Sequence, residues 1–96
     1  MLQCTVIHTA IGGTLEAGEG STLVGFIDFL QAGSGIFDLN HTEVFPEFEG
    51  QGYGRKLVRA AVDWARAEPV KLKATCPYAR KLLDHTPDYS DIAVPN

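Results

Sequence analysis

A glycine-rich segment stands out as a possible binding loop. Gly50, Gly52 and Gly54 come directly before a helix-forming run that begins with Arg55 and Lys56. The first turn of a helix leaves its N–H groups without intrahelical acceptors, and the helix dipole favours an anion there. Glycine also permits a positive φ and a close approach of the backbone to a ligand. The segment therefore indicates a phosphate-binding loop, with a tight strand-to-helix turn as the alternative.

A thiol and a His–Glu pair supply groups for nucleophilic and acid–base chemistry. Cys76 opens the segment CPYARKLLDH, which predicts a helix with Pro77 in its first turn. The dipole at a helix start lowers the pKa of a thiol. His41 and Glu43 lie near the end of a strand, where Glu43 could act as a general base with His41 sharing or orienting that role. The alternatives to these catalytic roles are that Cys76 is a small buried apolar residue and that His41 and Glu43 are merely exposed to solvent.

Two nucleotide-binding motifs do not fit the glycine segment. A P-loop places Ser or Thr after its lysine, whereas Leu57 follows Lys56. A dinucleotide fingerprint needs GxGxxG spacing and an acidic residue about 20 residues further on, at the end of the next strand. The glycines here occupy alternate positions, and the next strand ends in KLKAT. Both motifs are excluded.

The elements that position these residues predict an α/β (α+β) fold. Residues 4–8, 14–17, 23–30 and 36–45 read as strands separated by glycine-rich turns, which favours an antiparallel meander. In strict alternation, Phe37, Leu39, His41 and Glu43 share one face of the last of these strands. Apolar residues then recur at three- and four-residue steps, predicting a helix over residues 52–67 that ends before Pro69.

The last part of the chain completes this fold. VKLKAT predicts a short strand, CPYARKLLDH a second helix, and TPDYSDIAVPN a tail in which Tyr89 and Ile92 dock onto the body. The architecture expected is a mixed, mostly antiparallel sheet with one β-α-β crossover and two main helices.

Composition narrows the classes of partner. With 96 residues the chain has the size of one domain. A net charge of −4, with no basic cluster beyond Arg55-Lys56 and the segment 71–73, argues against nucleic acid. No apolar run approaches the ~20 residues of a membrane span, and no signal peptide is evident. We therefore expect no membrane partner, a cytoplasmic location with Cys4 and Cys76 reduced, and no metal site.

One family shares these features. HTEVFPEFEGQGYGRKLVRAAVDWA resembles the acetyl-coenzyme A-binding segment of the GNAT superfamily of N-acetyltransferases. The family motif Gln/Arg-x-x-Gly-x-Gly/Ala falls on Glu49 to Gly54. With a cysteine opening the next helix in CPYARKLLDHTPDYSDI, nearly the whole chain is similar to the small single-domain acetyltransferase-like branch.

The resemblance implies a minimal GNAT-like domain over residues 1–96 that binds acetyl-coenzyme A as cosubstrate. Cys76 would accept the acetyl group or lie near the pantetheine sulfur, and Tyr78 would protonate the leaving thiolate. Glu43 and His41 would serve as base. Larger members carry N-terminal helices that build the acceptor site, so the acceptor here is a small amine, or a partner completes its binding. The residues implied in cofactor binding are Val44, Gly50, Gln51, Gly52, Tyr53, Gly54 and Arg55.

One position departs from the family pattern. Glu49 stands where Gln or Arg is usual, which predicts weaker pyrophosphate binding unless its carboxylate turns away or pairs with Arg55. The function expected is acetyl transfer from acetyl-coenzyme A to an unidentified amine. The alternatives are a non-catalytic acyl-coenzyme A-binding or interaction module on the same fold, and a purely structural domain.

Overall fold

The computed structural model describes residues 2–95 as a five-stranded mixed sheet with two α-helices, which confirms the expected fold class. Met1 and Asn96, the ends of the expected domain and tail, lie outside the described residues. Two short 3-10 helices, Pro46–Phe48 and Pro87–Tyr89, complete the description. The main elements are β1 (Leu2–His8), β2 (Gly12–Glu19), β3 (Thr22–Gly33), β4 (Ile36–Val44), α1 (Tyr53–Ala67), β5 (Lys71–Ala74) and α2 (Pro77–His85).

The strands lie in sequence order, and only the last pair is parallel. β1 to β4 form an antiparallel meander, and α1 makes the crossover that returns the chain to β5. β2 spans eight residues rather than the four expected, because the glycines at its ends stay in the ladder. Three residues join β1 to β2.

β4 and β5 separate part-way along their length. They pair only from Ile36 with Lys71 to Leu39 with Ala74, and β4 then continues for five residues without β5. A carboxylate holds the point of separation: Asp38 Oδ1 accepts a hydrogen bond from the Thr75 amide at 2.8 Å, and Oδ2 accepts one from the Thr75 hydroxyl at 3.0 Å. This contact marks the point where the ladder between β4 and β5 ends.

Helix α1 packs one apolar face onto the sheet. Its buried residues are Leu57, Val58, Ala61, Val62 and Ala65, at the three- and four-residue steps that predicted it. They join a core with residues of every strand except β1, and burying a leucine of this kind contributes about 1.5–3 kcal/mol. Proline two residues after Ala67 prevents the helix from continuing. This packing fixes the glycine segment at the helix start.

One irregularity in β4 is invisible to alternation along the sequence. Asp28 of β3 pairs with His41, but the next residue, Phe29, pairs with Leu39. Asn40 is therefore an extra residue opposite the β3 ladder, a β-bulge. Beyond such a bulge, every later side chain points to the face opposite to the one that alternation predicts.

The bulge overturns the expected placement of the His–Glu pair. Leu39 is buried beneath the helices, and Thr42 and Val44 continue its face because they pair with the core-face positions of β3. His41 and Glu43 point to the opposite face, where both are exposed. The prediction that they share the face of Leu39 was wrong.

The two faces of the sheet differ in cover. Both helices contribute to one hydrophobic core on the first face. On the second, Ile7 and Leu30 remain 61% and 53% exposed. We call this second side the open face; it carries His41 and Glu43.

The C-terminal segment docks onto the body, as expected for Tyr89 and Ile92, which are 8% and 5% exposed. Ile92 O accepts from the Leu72 amide, extending the sheet beyond β5. Arg66 anchors the segment by donating hydrogen bonds to both carboxylate oxygens of Asp91, at 3.1 and 2.8 Å. These hydrogen bonds hold the pKa of Asp91 below its usual value.

Candidate active site

A cleft of about 420 Å³ lies where β4, the glycine segment and α2 meet. The end of β4 contributes Thr42 and Val44, the glycine segment contributes Glu49, Gly50 and residues 52–54, and Tyr78 of α2 lies against Gly54. This is the region beside β4 that β5 does not fill. The cleft falls in the size range of small-ligand sites.

The glycine segment presents free backbone N–H groups to this cleft. Gly50 and Gly52 have φ of +78° and +80°, a conformation that glycine adopts without steric cost. The first intrahelical hydrogen bond of α1 runs from the Lys56 amide to Gly52 O at 3.3 Å. The N–H groups of residues 53–55 therefore have no intrahelical acceptor, and Gly52 brings no capping side chain. The arrangement suits an anion such as a phosphate.

Gly54 has a different role from its two neighbours. A Cβ at Gly50 or Gly52 would have no atom within 4 Å, whereas a Cβ at Gly54 would lie 2.6 Å from the hydroxyl oxygen of Tyr78. Gly54 thus allows Tyr78 to pack over the first turn of α1. The sequence pattern suggested the same role for all three glycines. It could not reveal that Tyr78, which is 24 residues further along the chain, packs against Gly54.

The edge of β4 offers backbone hydrogen-bonding groups to the same cleft. The Phe45 amide donates to Val24 O at 2.9 Å, so the backbone N–H of Phe45 points toward β3. Strand alternation then turns the N–H and C=O groups of Val44 and Thr42 to the other edge. Among the described residues no strand pairs with that edge of residues 40–44. These groups are therefore available for hydrogen bonding at that edge.

Cys76 occupies the N-cap of α2, close to the cleft. Its amide donates to Leu39 O at 3.1 Å, and its side chain is buried, with the residue 8% exposed. Sγ lies 3.5 Å from Thr42 Oγ1; the protonated thiol donates to this hydroxyl, and the hydroxyl donates to the thiolate. Burial alone would raise the pKa of Cys76, but the amides of Ala79 and Tyr78 and the Thr42 hydroxyl favour the thiolate and bring the pKa below its ordinary value.

Thr42 is the residue that sequence reasoning missed. It both lines the cleft and contacts the Cys76 sulfur, so it joins the glycine segment to the thiol. Without the bulge at Asn40 it would face away from the helices. No signal in a single sequence reports a bulge at this position.

His41 and Glu43 form a separate pair on the open face. His41 Nε2 lies 3.3 Å from Glu43 Oε1, and the imidazole packs against Phe26 with ring centroids 5.7 Å apart. The predicted site residues therefore fall into two groups on opposite faces of β4. One contains Cys76, Tyr78 and the glycine segment, and the other contains His41 and Glu43.

Glu49 lines the cleft without a cationic partner. Its side chain is exposed, and among residues 2–95 no ion pair joins it to Arg55. Arg55 and Gln51 are exposed, while Lys56 lies over the Tyr53 ring, 5.3 Å from its centroid. The pairing with Arg55 that would offset the charge of Glu49 is not formed.

The lowered pKa of Cys76 predicts the order in which the two thiols react. A lowered pKa means that Cys76 retains its thiolate to lower pH, whereas partial burial raises the pKa of Cys4. Iodoacetamide alkylation followed by peptide mass spectrometry across a pH series is expected to give a lower midpoint for Cys76. Thr42→Val should raise that midpoint and leave Cys4 unchanged. A Cys76 midpoint at or above that of Cys4 would contradict the assignment.

Residues 2–95 offer neither a metal-binding group of side chains nor a membrane-spanning helix. In this range no three His, Cys, Asp or Glu side chains are grouped to hold a metal ion. Nor does either helix in this range have the length and apolar character needed to span a membrane.

Comparison with known proteins places this arrangement in context. The sequence profile described as GCN5-related N-acetyl-transferase matches residues 13–92. The protein NATD1 of Gallus gallus is 38% identical over 55 residues, which are 57% of this chain and 50% of NATD1. The aligned segment thus spans about half the length of this curated relative.

Solved structures share the fold. A GCN5-like protein from Staphylococcus aureus superposes with a TM-score of 0.71 and 25% identity, covering 96% of this chain and 89% of its own. A GNAT acetyltransferase from Elizabethkingia anophelis, solved with acetyl-coenzyme A bound, has a TM-score of 0.64 and 16% identity, covering 74% and 62%. The second likeness concerns the fold alone.

Proposed function

Because the chain belongs to the GCN5-related N-acetyltransferase family, we propose that it transfers an acetyl group from acetyl-coenzyme A to an amine, with Cys76 as acetyl carrier. The observation that carries the proposal is the position of Thr42, which lines the cleft and lies 3.5 Å from the Cys76 sulfur. A thioester whose pyrophosphate binds the free amides of residues 53–55 would extend along β4 toward that thiol.

The glycine segment and β4 edge would bind the cosubstrate. The first turn of α1 would hold the pyrophosphate, with Gly50 and Gly52 keeping the approach open, Gly54 giving room to Tyr78, and Gln51, Tyr53 and Arg55 beside it. Val44 would offer its outward N–H and C=O groups to the pantetheine amides.

The first chemical step would use Cys76 and Tyr78. The Cys76 thiolate attacks the thioester carbonyl carbon, and a new C–S bond forms as the bond to the coenzyme A sulfur breaks. Tyr78 donates its hydroxyl proton to the leaving sulfur. The lowered pKa of Cys76 increases the thiolate fraction available for attack.

The second step would regenerate the thiolate. A neutral amine attacks the acetyl carbon on Cys76, an amide bond forms, and the C–S bond breaks. The amine proton passes to solvent, because Glu43 and His41 lie on the face of β4 opposite to Cys76 and Thr42. Tyr78 regains a proton from solvent, so the amine proton replaces the one given to coenzyme A.

A second function on the same fold is a non-catalytic acyl-coenzyme A-binding module. It is favoured by the low exposure of Cys76, 8%, and by the unpaired carboxylate of Glu49 at the cleft. In either function we propose that residues 1–96 act as one domain in the cytoplasm, with a small amine or a protein as the acceptor or partner.

Calorimetric titration with acetyl-coenzyme A, followed by intact mass spectrometry of the same sample, tests the proposal. Saturable heat and one added acetyl group, mapped to Cys76, are the expected results. Saturable heat without an acetyl group and without turnover of model amines would favour the binding module. Absence of heat from protein with a folded circular dichroism spectrum would contradict both functions.

A further inference from the structure

The outer edge of β1 offers a row of backbone hydrogen-bonding groups. β1 pairs with β2 over seven residues without a register shift, and among residues 2–95 no strand lies on its other side. In the same register the Thr9 amide donates to Gly12 O at 2.8 Å, so the odd-numbered residues of β1 bond to β2. Alternation therefore directs the N–H and C=O groups of Leu2, Cys4, Val6 and His8 outward.

The opposite edge of the sheet is protected, whereas β1 is not. β5 has only four residues, and two of them are lysines. Its outer edge is covered, because the Leu72 amide donates to Ile92 O at 2.9 Å and the Val94 amide donates to Leu72 O at 2.8 Å. Residues 1–15, by contrast, contain no Lys, Arg, Asp, Glu or Pro, although 21% of the chain is charged. A long, neutral edge without proline favours pairing with another strand.

β1 is complementary to a second copy of itself. In an antiparallel pair centred on Thr5, Thr5 lies opposite its own counterpart, Cys4 lies opposite Val6, and Leu2 lies opposite His8. Every residue with outward backbone groups then faces another such residue, so all seven residues of each strand enter the ladder. Threonine opposite threonine is a favourable cross-strand pair, and no Asp, Glu, Lys or Arg side chains meet.

This pairing would cover apolar side chains on both faces of β1. Val6 pairs with the core residue Leu15 and therefore points toward the helices, where it is only partly buried. Cys4 points the same way and is exposed. Ile7 lies on the open face and is 61% exposed. A neighbouring strand would remove part of each side chain from water, which adds to the hydrogen bonds of the ladder.

We propose that two copies of the chain pair through β1 to form a two-fold symmetric dimer with one continuous ten-stranded sheet. The symmetric contact uses both β1 edges and the β5 edges are covered, so the assembly closes at two copies. β1 precedes residues 13–92, the segment that the family profile matches. The candidate active site lies beside β4, three strands away, so the inference is independent of the proposed function.

Size-exclusion chromatography with light scattering, run as a dilution series, tests the dimer. Wild-type protein is expected to reach twice the 10.4 kDa mass of one chain. Thr5→Lys should raise the dimer dissociation constant by about 10-fold or more, because two lysines would lie opposite each other at the two-fold axis. Thr22→Lys is the matched control, since it adds the same charge at an exposed threonine of β3, two strands from β1. Circular dichroism checks that both variants are folded.

Disulfide cross-linking tests the register without adding charge. In a Cys4→Ala background, Thr5→Cys would place the two new thiols on directly opposed residues with Cα atoms about 4.5 Å apart, which permits a disulfide. Gln3→Cys in the same background would place its two thiols about 14 Å apart along the strands. Mild oxidation and non-reducing electrophoresis should therefore give a covalent dimer for Thr5→Cys only.

Three results would overturn the proposal. Wild-type protein that stays at 10.4 kDa throughout the dilution series would mean that β1 does not pair with a second copy. A dimer that Thr5→Lys weakens no more than Thr22→Lys would place the interface elsewhere on the molecule. Cross-linking of Gln3→Cys to the same extent as Thr5→Cys, or of neither variant, would contradict an antiparallel pair centred on Thr5.

Discussion

Replacing Gly52 with aspartate is expected to weaken acetyl-coenzyme A binding by about 30-fold or more. The new side chain would enter open space, since a Cβ at Gly52 meets no atom within 4 Å, so it is accommodated sterically. Its carboxylate would stand before the free amides of residues 53–55 and repel a pyrophosphate by about 2–4 kcal/mol, which exceeds a factor of about 30. The left-handed φ of +80° at this position also lowers the stability of the folded variant by about 1–2 kcal/mol.

The matched control is Gly52→Asn, which has nearly the same shape without the charge. Asparagine tolerates the left-handed conformation better than most residues. Calorimetry should therefore show a much smaller loss for Gly52→Asn than for Gly52→Asp, with thermal melting used to confirm that both are folded. Equal affinity for wild type and Gly52→Asp would place the pyrophosphate elsewhere.

Replacing Cys76 with alanine is expected to abolish the acetylated form of the protein and to lower the rate of amine acetylation by about 100-fold or more. Removing the nucleophile of a two-step mechanism leaves only slower direct attack. Acetyl-coenzyme A affinity should remain nearly unchanged, because the amides of residues 53–55 and the edge of β4 are untouched. Intact mass spectrometry and an assay of free thiol release measure the two losses separately.

Cys4→Ala is the control, since Cys4 lies on β1 and does not line the cleft. It should retain both the acetylated form and the rate. A Cys76→Ala variant with the wild-type rate would mean that the amine attacks the thioester directly.

Much of the fold could be predicted because its signals are local. The apolar steps of α1 and the proline after it mark a helix whose observed limits, Tyr53 and Ala67, differ from prediction by one residue at the start. Cys76-Pro77 likewise marks the start of α2. In both cases the residues that form the element also carry the signal.

The parts of the site that could not be predicted depend on contacts distant in sequence. The bulge at Asn40 exists only in the pairing between β3 and β4, so alternation placed His41 and Glu43 on the wrong face and hid Thr42. The crowding of Gly54 by Tyr78 joins two helices in the same way. Residue types pointed to the chemistry, but pairing register decides which groups meet.

The Asp38–Thr75 contact has a consequence for the thermodynamics of recognition. The two hydrogen bonds fix Thr75, the residue after β5, to β4 where the ladder between the strands ends, and the gap beyond this point exists before any ligand arrives. Ligand binding there need not break a strand ladder or order a loop, so little of its free energy is spent on reorganising the protein. Measured affinities of ligand analogues should therefore report their direct contacts, which makes this small domain a convenient scaffold for dissecting coenzyme A group by group.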